Sequence, residues 1–151
     1  MVKAKVYLDT TVPSAYFDEQ APDRQRLTRE FWSERLQVFS PVVSVITLRE
    51  IRDTPDPSKR ARMEELLTGL QVLSFDDEAY TLAQEYVGRG LFPARYASDA
   101  NHVAVAVVNA VEYFVSWNFR HLVNVATRRE VNLVNALRSY RNIEIVAPPE
   151  L

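Results

Sequence analysis

Three acids and one amide stand where their types and settings could do chemistry. Asp9 follows the apolar positions Val6 and Leu8 in "AKVYLDTTVP", and Glu50 lies within "SVITLREIRD". Asp99 opens "DANHVAVAVVNA", and Asn118 ends the run "YFVSWN". Carboxylates that converge repel one another unless a cation lies between them. With no cysteine and only two histidines in the chain, a metal site must be built mainly from oxygen ligands, which favours hard cations such as Mg2+ or Mn2+. Each residue also has an ordinary structural use. Asp9 can cap the helix after it, Glu50 can be a solvated helix residue, and Asp99 can answer the positive end of a helix dipole. Asn118 brings no charge; it can offer an amide oxygen to a cation, orient a bound water, or cap a turn.

Something has to hold these four together. A chain of 151 residues with 47% hydrophobic residues fits one globular domain, residues 1–151, large enough to bury a core. No repeat, linker or composition shift divides it. The net charge of −2 and pI near 5.7 argue against a basic nucleic-acid coat, although acids gathered on a cation mask the positive surface around them. Most of the cations are arginine, which suits bidentate phosphate contacts. The N-terminus lacks the apolar core of a signal peptide, and the most apolar run, Val103 to Val115, is interrupted by Asn109 and Glu112 and is too short to span a bilayer. The expectation is a soluble, cytoplasmic protein without a membrane partner.

Periodicity predicts alternating strands and helices. Val6 to Leu8 reads as a strand, with Pro13 placed to open a helix. Leu27, Phe31 and Leu36 recur at helical intervals, "VFSPVVS" is extended, and Ser44 caps the helix carrying Glu50. Thr54-Pro55 ends that helix, Asp56-Pro57 starts another, and "QVLSF" is a third strand. A helix follows over "DDEAYTLAQEYVGRG". Ser98 is then expected to cap the apolar helix of Asp99, which runs into the strand "YFV". The remainder, "RHLVNVATRREVNLVNALRSY", is helical by period with a break, before a last strand "IEIV". This alternation points to an α/β/α three-layer sandwich with a largely parallel sheet. Such sheets bind ligands beyond the carboxyl ends of their strands, where Asp9 and Asn118 fall.

In this order, "VYLDTTVP", "SVITLREI", "SDANHVAVAVV" and "YFVSWNF" resemble the four-part signature of the PIN-domain family over nearly the whole chain. The resemblance is closest to the VapC kind, small ribonucleases that act as toxins of type II toxin–antitoxin pairs. It implies a domain whose acids gather at one end of a parallel sheet and bind Mg2+ or Mn2+ to hydrolyse RNA phosphodiesters. That agrees with the chemistry, since divalent cations neutralise phosphate oxygens and lower the pKa of an attacking water. By resemblance Asp9, Glu50 and Asp99 are catalytic and metal-binding. Asn118 matches a fourth position where the family often carries an aspartate, two residues after the Ser/Thr position that Ser116 fills. A cognate antitoxin covering the cleft and a homodimer are also implied.

Supporting roles are less specific. Thr10 can donate to the carboxylates or serve the turn. His102, one helical turn from Asp99, faces either the site or a neighbouring helix, and His121 falls in the first turn of a helix that Asn118 caps. Arg49, Arg52 and Arg120 are candidate RNA contacts against the commoner role of solvated ion pairs. Trp117 and Tyr16 could stack on a base, and Tyr16, Phe17, Phe31 and Trp32 could form an interface or a core. A different class of function stands beside the nuclease: a catalytically weakened RNA-binding or protein-interaction module on the same fold. A haloacid-dehalogenase-like phosphohydrolase ranks low, because its second aspartate would stand where this chain has Thr11.

Overall fold

Val6 and Leu8 face one side of a strand and Tyr7 the other, and this period of two decides which layer each serves. The computed structural model describes residues 2–151, and in it this strand is β1 (Lys5–Leu8). It is the middle strand of a sheet with β2 (Ser40–Ser44), β3 (Gln71–Leu73), β4 (Tyr113–Val115) and β5 (Glu144–Val146). The order is β3-β2-β1-β4-β5, and every pairing is parallel.

Tyr7, Val42, Phe114 and Ile145 pack against α5 (Asp77–Gly88), α6 (Ala97–Val108) and α7 (Val125–Leu137). On the other face, Val6, Leu8, Val43 and Val115 meet Val12, Phe31, Ile51 and Met63. Those come from α1 (Thr11–Tyr16), the turn after α2 (Pro22–Glu30), α3 (Val45–Arg52) and α4 (Pro57–Leu66). Helices therefore cover both faces, as parallel sheets require, and the expected three-layer sandwich is the observed fold. Across the central pair, Tyr7 stacks on Phe114 with ring centroids 5.1 Å apart and planes at 14°. An offset pair of this kind adds about 1 kcal/mol beyond its buried area.

The strand order places the site. After β1 the chain turns to β2 and β3 on one side, then returns through α5 and α6 to lay β4 on the other. The carboxyl ends of β1 and β4 flank this reversal, where open α/β sheets form their crevice. Entry into β4 is set by the end of α6. There Ala110 adopts φ 56° and the Val111 N–H donates to the Ala106 carbonyl at 3.0 Å, a left-handed stop that costs a non-glycine residue about 1 kcal/mol.

Several local expectations are met. Ser44 caps α3 by accepting from the Ile46 N–H at 3.1 Å, and Asp56 caps α4 from the Ser58 N–H at 2.9 Å. Others are corrected. Ser98 does not cap α6, which begins at Ala97 with no side-chain cap; its hydroxyl is drawn instead to a carboxylate. Pro13 sits at the third position of α1 rather than opening it. The helix of Leu27, Phe31 and Leu36 stops at Glu30 and continues as a wide π turn and a 3-10 turn. That irregularity lets both Phe31 and Leu36 reach the core. The last helical stretch breaks before α7, which Asn124 caps through the Thr127 N–H at 2.8 Å. Among the described residues no helix is long and apolar enough to cross a membrane.

Candidate functional site

Beyond their ladders β1 and β4 stay joined. The Asp9 N–H donates to the Val115 carbonyl at 3.3 Å, and the Ser116 N–H reaches the Val146 carbonyl of β5 at 3.0 Å. Asp9 emerges at the sheet tip only 3% exposed. Its Oδ1 accepts from the Thr11 N–H at 3.0 Å and from Thr11 Oγ1 at 2.5 Å. The same Thr11 hydroxyl accepts from the Trp117 N–H at 2.9 Å, and Ser116 Oγ accepts from the Asn118 N–H at 2.9 Å. Two hydroxyls thus tie the tips of β1 and β4 into one rigid corner. Burial drives the Asp9 carboxyl above its ordinary range, against the pull of the His102 ring and of hydrogen bonds from Ser116 and Thr11.

Glu50 is held differently. Its Oε1 accepts from Thr10 Oγ1 at 2.5 Å and from His102 Nε2 at 2.6 Å, and its Oε2 from Ser98 Oγ at 2.8 Å. Burial works to raise its carboxyl, but these donors outweigh it and hold the group down to about 2. The carboxylate is therefore ionised and can only accept, so His102 Nε2 carries a proton. On the other side of the ring, Nδ1 lies 2.6 Å from the Tyr7 hydroxyl, and Ser44 Oγ lies 2.7 Å behind that hydroxyl. The result is a buried line of hydrogen bonds, Ser44–Tyr7–His102–Glu50. Burial lifts the Tyr7 phenol well above its ordinary range, so it remains a donor. Tyr7→Phe leaves His102 Nδ1 buried without its hydrogen-bond partner and is expected to cost about 1–3 kcal/mol in urea unfolding. An unchanged midpoint would show that the line contributes nothing to the fold.

Asp99, in the first turn of α6, is the strained member. Burial lifts its carboxyl to about 6, the negative charges of Asp9 and Glu50 add to the lift, and the His102 ring opposes it. Its one side-chain hydrogen bond is long, from Asn118 Nδ2 to Oδ2 at 3.4 Å. Asn118 Oδ1 accepts from the His121 N–H at 2.9 Å. That backbone donor fixes which end of the amide is which. Asn118 caps a turn with its oxygen and presents its N–H2 to the acids.

The four principal residues thus meet at one edge, joined by Thr10 and Ser116. Arg49 and Arg52 are exposed on α3, with no carboxylate partner among the described residues. Arg120 is exposed beside Asn118. Trp117 is corrected as a stacking platform: it is 6% exposed and its indole N–H donates to Thr28 Oγ1 at 2.8 Å. His121 lies in a turn rather than a helix, its ring 4.3 Å from that of Tyr96. Phe31 is core, while Tyr16, Phe17 and Trp32 form a partly exposed aromatic cluster. Sequence reading missed Thr11, Tyr7 and the role of Ser98. A hydroxyl two residues after a strand-tip aspartate was the available signal for Thr11.

Among the described residues no group of three or more His, Cys, Asp or Glu side chains is arranged to hold a metal ion. Both oxygens of Glu50 are engaged by protein donors. The charge of Asp9 is left acting on the Asp99 carboxyl.

The five-stranded parallel sheet covered on both faces is PIN-like in fold. In fold it is of the VapC kind. A chain of the VapBC2 complex from Rickettsia felis, bound to a DNA fragment from their promoter, aligns with a TM-score of 0.56 at 12% identity, covering 95% of this chain and 98% of that one. VapBC-1 from nontypeable Haemophilus influenzae gives 0.59 at 13%, covering 96% and 98%. Mycobacterium tuberculosis VapC20, a sarcin-ricin loop cleaving toxin, gives 0.53 at 19%, covering 72% and 86%. At these identities the likeness is one of fold. No family model matches the chain, and no curated protein matches its sequence.

Proposed function

We propose that the protein is a divalent-metal-dependent endoribonuclease, the cytoplasmic toxin of a type II toxin–antitoxin pair. The observation that carries the reading is the pairing of Asp9 and Asp99. Both carboxyls are pushed up, Asp99 in part by the charge of Asp9, in a corner otherwise built of hydroxyl and amide donors. A buried acid whose carboxyl is raised further by a neighbouring acid's charge is a cost to a purely structural site and an asset to one that receives a cation. A pair of carboxylates suits Mg2+ or Mn2+, which keep waters and take phosphate oxygens as further ligands.

Asp9 and Asp99 would hold the ion, which when bound supplies charge neutralisation and a water of lowered pKa. The protein's own part follows from the hydrogen bonds. Thr11 and Ser116 fix the Asp9 carboxylate. His102, Thr10 and Ser98 fix Glu50, and its depressed pKa makes it a group that orients a water rather than one that removes its proton. Asn118 steadies Asp99. A cognate antitoxin and a homodimer belong to the same reading, and the exposed parts of Tyr16, Phe17 and Trp32 give them an apolar surface. The sarcin-ricin loop cleaving toxin among the structural neighbours supports an RNA substrate.

The test is cleavage of single-stranded and structured RNA with Mg2+, with Mn2+ and with chelator. Cleavage is expected only with a cation and is expected to fall about 100-fold or more in Asp9→Asn. Equal cleavage by both proteins overturns the assignment. A second reading, an RNA-binding module without catalysis, draws on the amide donor that Asn118 offers where a carboxylate would add charge. It predicts RNA binding with no cation-dependent cleavage.

A further inference from the structure

Next to the acids the sheet tip opens into a groove of about 570 Å3, lined among others by Thr11, Asp18, Arg24, Asn118, Phe119 and Arg120. Thr11 and Asn118 are its link to the site, since they hydrogen-bond Asp9 and Asp99. Phe119 is 46% exposed, a large apolar ring left in solvent beside a polar cleft. The Arg24 guanidinium lies 5.3 Å from the centroid of the Trp117 ring and 5.6 Å from that of Phe119. Trp117 is fixed underneath by its bond to Thr28, so the aromatic floor is rigid. Among the described residues neither Arg24 nor Arg120 has a carboxylate within ion-pair distance. The groove's own acid, Asp18, accepts from the Gln20 N–H at 3.0 Å.

This combination fits one kind of occupant. Two unpaired guanidiniums suit phosphates, and they stand where a polyanion approaching the carboxylates most needs positive charge. An exposed ring in the same groove offers a face to a base, and base faces are free only in unpaired strands. We propose that the groove is a nucleotide subsite for single-stranded RNA. Phe119 stacks on a base adjoining the scissile phosphate, and Arg24 and Arg120 contact the flanking phosphates. The subsite rests on the nuclease reading above and adds the residues that grip the substrate.

Fluorescence anisotropy with a labelled single-stranded RNA, in chelator so that nothing is cut, tests it. A matched strand carrying abasic positions is the control. Phe119→Ala is expected to weaken binding of the base-bearing strand about tenfold and to leave the abasic strand unchanged, while Phe119→Trp retains affinity. Arg24→Gln with Arg120→Gln is expected to weaken both strands and to flatten the salt dependence. Circular dichroism matching wild type confirms that the variants fold. If Phe119→Ala binds the base-bearing strand as tightly as wild type, the subsite is overturned and the groove belongs to a protein partner. Cation-dependent cleavage by wild type in a parallel assay leaves the nuclease reading standing in that case. If wild type neither binds nor cleaves RNA, both fall together.

Discussion

Asp99→Asn is expected to melt at a higher temperature than wild type while losing about 100-fold or more of any RNA cleavage. The stability half follows from the position of the Asp99 carboxyl, held at about 6 against an ordinary 3.8 by burial and then by Asp9 and Glu50. A raised acid binds its proton more tightly in the folded chain than in the unfolded one. Between about pH 4 and pH 6 the folded protein therefore carries a proton that the unfolded chain has released, and stability falls as pH rises through that window. Above it the full penalty remains. With allowance for solvent at a partly exposed group it is on the order of 2 kcal/mol, or about 5 °C in melting temperature for a chain of this size. Asparagine keeps the shape and removes the charge. Melting curves in chelator from pH 4 to pH 8 are expected to separate the two proteins increasingly up to pH 6 and to merge near pH 4. Curves that coincide throughout would show that Asp99 is not the strained acid. Divalent cation is expected to stabilise wild type more than the variant, because it binds the folded site.

Asn118→Asp is expected to do the reverse. An aspartate at this position still accepts the His121 N–H with one oxygen, so the turn survives. Its other oxygen replaces the amide N–H2 that lies 3.4 Å from Asp99 Oδ2. A donor is lost and a like charge is added, at a cost of about 1–3 kcal/mol in metal-free protein at neutral pH. The same charge is an added ligand, and calorimetric titration with Mn2+ is expected to show affinity tightened about tenfold. Unchanged affinity together with unchanged stability would mean that the side chain at 118 serves only the turn. The two substitutions move charge in opposite directions across one contact, so opposite signs in both measurements are the diagnostic pattern.

Much of this was legible in the residues. The strand at Val6–Leu8, the caps at Ser44 and Asp56 and the alternation of elements are local signals, and local signals survive folding. Asp9 and Asn118 stand at strand tips, Asp99 in the first turn of a helix and Glu50 within one, and topology brings them to one edge. Which atom faces which is not carried by any local pattern. Ser98 has the sequence of a cap, yet α6 starts earlier and its hydroxyl is free to serve Glu50. Thr11 and Tyr7 look like a turn residue and a core aromatic until the sheet places one on Asp9 and the other behind His102. In sequence, Asn118 reads as an oxygen ligand or a cap. Only the His121 N–H reveals that its oxygen faces the turn and its nitrogen the acids. Such orientations depend on contacts between residues as far apart as Tyr7 and His102, which no local pattern encodes.

Trp117 has one more consequence. The chain holds two tryptophans, and the other, Trp32, stands apart against Tyr16 at 5.8 Å between ring centroids. Trp117 is shielded from water, tied to Thr28, and faced by the charge of Arg24 at 5.3 Å. An indole's emission responds to a charge above its ring, so whatever draws Arg24 toward a phosphate also changes the colour of this residue. With Trp32 replaced by phenylalanine, the molecule becomes its own optical gauge of the cleft, and needs no label to show when it is filled.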